Sequence, residues 1–339
     1  MSVRLVLCLG ASLAAFAAPQ AVAEDFYAGK SISVLVGAGA GGSYDVYART
    51  LATHMQRHIP GQPSIIVKIA GGVGGGVATA VQMEHSVPKD GLTLGIVQQT
   101  NVTSQITEDE VKGRYDVTKW HWIGNMAPLR NMLGVWHTAP AQSLEDARRI
   151  ETIIGATGRN SPTYTVPAAL NQLIGTKYKI VLGYNGTADL NLAMERGEIQ
   201  GRGANWISVV ISAPQYIAEK KFKVLVVDGL TRDPTLPDVP TLLELAQGEN
   251  EKAAVRLISA SGQFARAFFF PPNTPSERVA ILRKAFDATM KDAAFLQEAE
   301  KFKMEIEPTD GATLDRLARE IINSPPQAIS LAKELIGSK

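Results

Sequence analysis

The chain alternates short runs rich in β-branched residues with longer segments whose apolar positions recur every three or four residues. That is the pattern of an α/β protein built on parallel strands. Ser31 to Val36 (SISVLV), Ser64 to Ile69 and Leu92 to Val97 read as strands. Between the first two, Tyr44, Tyr47, Ala48, Leu51, Ala52, Met55 and Ile59 form one apolar stripe, and Val73 to Met83 predicts the next helix. This order makes a β-α-β-α-β unit. The middle of the chain repeats the alternation. There, Thr152 to Ala156 and Lys179 to Leu182 predict strands, and Pro167 to Gly175 a helix between them. Ala188 to Arg196 predicts another, with Thr187 as N-cap and Gly197 past its end. Phe222 to Val227 reads as a strand before a Pro-rich link, Asp233 to Pro240. Thr274-Pro275-Ser276-Glu277 has the form of a capping box with proline at the first helical position, and Val279, Leu282, Phe286 and Met290 follow as an apolar face. Helices over Ala293 to Phe302 and Ala312 to Ile322 carry the chain towards its end.

The first residues change the picture of where this fold works. Met1 to Arg4 carries one positive charge, Leu5 to Ala18 is apolar and uncharged, and Ala21-Val22-Ala23 has the small-x-small form of a signal-peptidase site. Cleavage after Ala23 is expected, which makes the chain an exported protein. Cys8, inside the apolar run, is the single cysteine of the 339 residues. The processed chain therefore has no disulfide, no cysteine nucleophile and no thiolate metal site. Its length suits two α/β lobes. With 34 Lys and Arg against 33 Asp and Glu, nothing in the charge balance points to nucleic acid or an anionic membrane. A small-molecule partner is the expectation.

Candidate chemistry lies in the glycine-rich loops. Gly37-Ala38-Gly39-Ala40-Gly41-Gly42-Ser43-Tyr44-Asp45 joins a strand to a helix start, where bare N–H groups and the positive end of the macrodipole suit an anion. Gly37, Gly39 and Gly42 also satisfy G-x-G-x-x-G, but the second strand ends in Lys68-Ile69-Ala70-Gly71 with no carboxylate for a ribose, and no Walker lysine follows Gly42. No cofactor is expected. Gly71 to Gly76 and Gly183-Tyr184-Asn185-Gly186-Thr187-Ala188-Asp189 are further loops of this kind, at strand ends where open α/β sheets bind ligands.

Together these segments resemble the Bug-type extracytoplasmic solute receptors of the tripartite tricarboxylate transporter family, from about Asp25 to Gly337. The resemblance is carried by Tyr27-x-x-Lys30, Gly41-Gly42-Ser43-Tyr44-Asp45 with Ala48-Arg49, the Gly71 to Gly76 cluster and Pro88-Lys89-Asp90-Gly91-Leu92-Thr93-Leu94. Tyr184-x-Gly186-Thr187-x-Asp189-Leu190, Arg196-Gly197-Glu198, Arg232-x-Pro234-x-Leu236-Pro237-Asp238-Val239-Pro240-Thr241 and Pro271-Pro272-Asn273-Thr274-Pro275 complete the series. It implies a two-lobe periplasmic binding protein of the type II, Venus-flytrap kind, each lobe a parallel-rich sheet flanked by helices. Residues 24–126 plus 228–339 would form one lobe and 127–227 the other. Trp122 to Met126 and Val224 to Val227 are the candidates for the two crossing strands. The implied ligand is a small organic carboxylate, held by Gly41, Gly42, Ser43, Tyr44, Asp45, Gly72, Gly74, Gln99, Thr100 and Asn101 from one lobe. Thr157, Gly158, Arg159, Asn185, Gly186, Thr187, Asp189, Asn205 and Trp206 would hold it from the other. The implied partners are the transmembrane permease subunits of a tripartite transporter, and the receptor is expected to be a monomer that closes on its ligand.

The chain departs from the family pattern in two places. The usual proline-rich first loop is Ala38-Gly39-Ala40 here, and Asn205, within Gly201-Arg202-Gly203-Ala204-Asn205-Trp206, stands where many members have an acid. Asn205 disfavours a ligand ammonium. Arg159 and Arg202 are candidates to meet a second carboxylate, and Trp206 and Tyr44 to stack on a ring. His54 and His58 have zinc spacing (i, i+4) but no evident third ligand, so a solvated helix flank is expected. Glu108-Asp109-Glu110 reads as a solvated turn. No G-x-S-x-G elbow surrounds Ser43, so no enzyme is expected. The competing readings are an exported enzyme acting on a carboxylate or sugar acid, and a receptor that serves a signalling sensor.

Overall fold

The computed structural model describes residues 26–337 except 39, 41–42, 71–75, 109, 159–160, 185–186, 207–208 and 211–212. Among the described residues the strands are β1 (Ser31–Gly37), β2 (Ser64–Ile69), β3 (Thr93–Val97), β4 (His121–Asn125), β5 (Asn131–Trp136), β6 (Thr152–Ala156), β7 (Tyr178–Leu182), β8 (Gly201–Asn205), β9 (Phe222–Asp228), β10 (Ala267–Phe270) and β11 (Thr309–Asp310). The helices are α1 (Ser43–Met55), α2 (Val77–His85), α3 (Thr100–Thr107), α4 (Leu144–Ala147), α5 (Pro162–Ile174), α6 (Thr187–Glu195), α7 (Pro214–Ala218), α8 (Leu242–Leu245), α9 (Gly248–Ala260), α10 (Ser276–Thr289), α11 (Ala293–Lys301), α12 (Gly311–Ile322) and α13 (Pro326–Leu335).

The strands form two sheets, a six-stranded one in the order β11-β4-β10-β3-β1-β2 and a five-stranded one in the order β7-β6-β8-β5-β9. Both are mixed rather than parallel-rich. β1 runs parallel to β2 and β3, and β6 parallel to β7 and β8, but β10, β11, β5 and β9 add antiparallel pairs. These antiparallel strands belong to the segments where the chain leaves one sheet and returns to it. The crossings themselves fall outside the expected strands: β4 pairs only in the first sheet and β9 only in the second. The chain passes over at residues 126–130 and returns after Asp228.

Three apolar layers hold the sheets. On one face of the first sheet, Val34, Val36, Leu94, Ile96, Phe268 and Phe270 meet the stripe of α1 (Tyr47, Leu51, Met55) and of α10 (Val279, Leu282, Phe286). Its other face carries Trp120, Trp122 and Phe269, with Trp120 stacked on Phe269 at a centroid distance of 3.9 Å. That layer continues through α12, α9 and α13 to α5 and the second sheet, so one core joins both sheets. The far face of the second sheet packs Leu190 and Met194 of α6 against Trp136, Phe222 and Tyr216.

Several local expectations need correction. α5 begins at Pro162, not Pro167. Ser161 is its N-cap, accepting from the Thr163 N–H, and Pro167 lies inside the helix. The Thr274 hydroxyl donates to Pro271 O (2.9 Å) instead of capping, and Pro275 precedes the first helical residue. The capping box lies elsewhere, between Thr241 and Glu244 at the start of α8. His54 and His58 do not face solvent as a pair. Their Nε2 atoms lie 2.7 Å from Glu298 and 3.0 Å from Asp292, joining α1 and the turn after it to α11. Among the described residues no group of acids, histidines and cysteines could hold a metal ion, and no helix is long and apolar enough to cross a membrane.

Candidate functional site

The carboxyl ends of β1 and β3 in one sheet, and of β6, β7 and β8 in the other, supply the polar rims. At the first rim Gly37 and Gly76 pass so closely that a Cβ on Gly76, at φ +86°, would lie 2.6 Å from Gly37 O. Only glycine fits there. Ser43 starts α1, and its hydroxyl accepts from Arg266 Nη2 at 3.1 Å. The Tyr44 hydroxyl donates to Gln99 Oε1, and the Gln99 N–H returns to it at 3.3 Å. Arg266 sits against both Tyr44 and Tyr47, 4.7 and 4.8 Å from the ring centres.

A cavity of about 100 Å³ opens between the two sheets' helices. Gln99 and Thr100 at the start of α3, Pro162 and Thr165 of α5, Leu257 of α9 and Ala332 of α13 line it, together with Asn131 and Asp228. Asp228 is buried beside neutral donors: Ser259 Oγ donates to it at 2.6 Å and Asn131 Nδ2 at 3.3 Å. Burial pushes its carboxyl above the usual range, and those two donors oppose the shift.

The expected residues do not all meet there. Gln99 and Thr100 line the cavity, Tyr44 stands next to it through Gln99, and Ser43 meets Arg266 instead. Thr157 is tied to Thr163 (N to Oγ1, 3.0 Å), and Gly158 has open space where a side chain would be. Thr187 and Asp189 fall in the first turn of α6. Asp45 turns back along its own helix to Arg49 (2.6 Å). Asn101 is buried, its Nδ2 donating to Gln98 O and its Oδ1 accepting from the Tyr115 hydroxyl. Asn205 donates to Arg130 O at 3.1 Å. Trp206 offers no stacking face: its ring is buried in the second sheet's far core, and its indole N–H donates to Thr235 Oγ1 at 2.8 Å. Arg202 is likewise in that core, fully buried, and burial pushes its guanidinium down to about 10. A β-strand points alternate residues to opposite faces, and Arg202 takes the face covered by Phe222 and Tyr216. Gly41, Gly42, Gly72, Gly74, Arg159, Asn185 and Gly186 lie outside the described residues.

Other polar residues on these rims carry no glycine-loop signal. Arg130 follows β4, buried, with Nη1 on Glu305 (3.1 Å) and Nη2 on both oxygens of Glu307 (2.6 and 2.7 Å). Its carbonyl accepts from Asn205 Nδ2 and Trp206 N–H, so it ties the first sheet's far end to the second sheet. Arg266 and Asp228 are visible in the sequence only as single charges inside apolar runs, FARAFFF and VLVVDGL.

Two mixed α/β sheets with polar rims do not by themselves name a family, so the family rests on comparison. The model of the tripartite tricarboxylate transporter family receptor matches residues 47–331. The chain belongs to that family. It is a substrate-binding receptor and not an enzyme. A curated relative from Cupriavidus necator, described as a UPF0065 protein in the gbd 5' region, is 25% identical over 305 residues, covering 87% of this chain and 85% of the relative. A TctC solute-binding protein from Polaromonas superposes with a TM-score of 0.70 at 20% identity, over 92% of this receptor and 100% of that chain. An R. palustris protein solved with adipate gives 0.61 at 19% identity, over 91% and 98%.

Proposed function

We propose that this receptor captures a small organic carboxylate between its two sheets and delivers it to the permease subunits of a tripartite transporter. The observation that carries the reading is the cavity lined by α3 and α5 together with residues of α9 and α13, and joined to the start of α1 through the Tyr44–Gln99 hydrogen bond. The adipate held by the R. palustris relative supports the ligand class. In this reading the anion is held by Gly41, Gly42, Ser43, Tyr44, Gln99 and Thr100 together with Thr157, Gly158, Arg159, Asn185, Gly186 and Thr187. Gly72, Gly74 and Asp189 shape the adjoining loops. The lobes are residues 24–126 plus 228–339 and residues 127–227. Residues 1–23 are removed on export to the periplasm, and the receptor acts as a monomer.

The magnitudes suffice. Micromolar capture needs about 8 kcal/mol. Charge-assisted hydrogen bonds contribute about 1.5–3 kcal/mol each, and a helix N-terminus up to ~2 kcal/mol. Three or four such contacts reach that value once ordering costs are subtracted. A thermal-shift screen of the processed protein against adipate, malate, succinate, citrate and benzoate tests the reading. Ligand at about 100 times its Kd adds ~2.7 kcal/mol, a shift of several degrees. No shift with any organic acid at millimolar concentration contradicts it.

A further inference from the structure

Arg266 is only 6% exposed, yet among the described residues no acid pairs with it. The acids on that side, Glu305 and Glu307, are ion-paired with Arg130, and Glu305 reaches Arg266 only as a longer-range attraction without a contact. Nη1 donates to Ala265 O (2.8 Å) and Nη2 to Ser43 Oγ (3.1 Å), both neutral acceptors, and Nε finds no acceptor among the described residues. Beside it stands a second orphan donor. Asn125 is fully buried, its Oδ1 accepts from the Arg266 backbone N–H at 2.7 Å, and its Nδ2 has no partner among the described residues. A guanidinium withdrawn from water with no carboxylate in contact among the described residues is costly to keep, and the cost falls when an anion completes the pair.

The register says where that anion would lie. Ala267 pairs with Asn125, and Phe269 pairs with Gly95. Arg266 therefore stands past the end of β3, at the level of Gln98 and Gln99, against the first residue of α1. The faces of Tyr44 and Tyr47 hold the guanidinium there. We propose that Arg266 is the fixed counter-charge of the binding site, donating to one carboxylate of the ligand in place of the neutral Ser43 hydroxyl. The proposal rests on the carboxylate reading above and deepens it. Selection of anion over neutral analogue would then come from one side chain and not from main-chain amides alone, and Lys cannot reproduce the planar fork.

Calorimetry on wild type, Arg266→Gln and Arg266→Lys tests this, with adipate and malate and their neutral diamides as probes. Wild type is expected to prefer acid over diamide by at least tenfold. Arg266→Gln is expected to weaken the acid at least 30-fold while changing the diamide less than threefold, and Arg266→Lys to recover part of the loss. Equal weakening of acid and diamide would mark a merely structural residue and overturn the proposal, as would acid affinity unchanged in Arg266→Gln. If Arg266→Gln does not fold, Arg266→Lys decides alone: intermediate acid affinity supports the proposal and wild-type affinity overturns it. A wild-type protein that binds no organic acid sinks the carboxylate reading itself, an outcome distinct from binding that ignores Arg266.

Discussion

At the scale of single residues, charge placement leaves measurable traces away from the ligand. Asp292 caps α11 and receives His58 and Arg57 from the turn after α1. The Phe295 N–H, together with His58 and Arg57, holds its carboxyl down to about 2, against the opposing effect of burial. An acid depressed on folding stabilises the protein above its unfolded value of about 3.9. That contribution disappears as the pH falls through the folded value. Asp292→Asn keeps the cap but not the charge. Its Tm should lie below wild type at pH 6 and converge with it near pH 2. Parallel curves across that range would contradict the assignment. The residue scale is also where sequence reaches least far. Gln99 and Thr100 are legible from their position after a strand, because strand ends are backbone features. Asn101 and Trp206 carry the same polar and aromatic character, but their direction is set by the neighbours Tyr115 and Thr235, far along the chain. Arg266 announces itself only by being the lone charge in an apolar run.

Elements are legible in proportion to how much of their stability is local. Ser64–Ile69 and Thr152–Ala156 form strands over those very residues, since β-branched runs suit a pleated surface whatever surrounds them. β8, Gly-Arg-Gly-Ala-Asn, has no such signal. It is a strand because β5 and β6 sandwich its backbone, and a Cβ on Gly203 would lie 2.8 Å from Thr163 Cα. The start of α5 is ambiguous in sequence because two prolines, Pro162 and Pro167, compete for its first turn, and Ser161 decides between them by capping. One packing choice at this scale can be tested directly. β4 passes under α10 so closely that a Cβ on Gly124 would stand 2.2 Å from the Phe286 ring. Gly124→Ala should cost about 1–3 kcal/mol in denaturant unfolding through overpacking. Adding Phe286→Leu should return part of that loss, and simple addition of two penalties would show that the contact does not matter.

At the scale of the molecule, the two sheets share one apolar core through α9, α12 and α13, yet their polar rims meet across a cavity. Alternation and length are enough to anticipate two sheets. The positions of the crossings are not legible, because β4 and β9 look like any buried strand, and only pairing reveals that each stays within its own sheet. If ligand draws the rims together, small-angle scattering with saturating adipate or another acid that binds should give a smaller radius of gyration than the free protein. Superimposable profiles would count against closure.

The passage at residues 126–130 is pinned on the first sheet's side: Met126 N–H donates to Arg266 O, Glu307 N–H to Met126 O, and Leu129 N–H to Gly262 O. Five residues reach at most about 17 Å when fully drawn out. Held by that passage, by the return after Asp228 and by the shared core, each rim is present to the other at an effective concentration of at least the millimolar range. A solute resting on one rim meets the other without a second diffusive search. Two individually feeble holds can then act as one firm grip, tighter than either alone by a factor of about 10²–10⁴, with no additional contact.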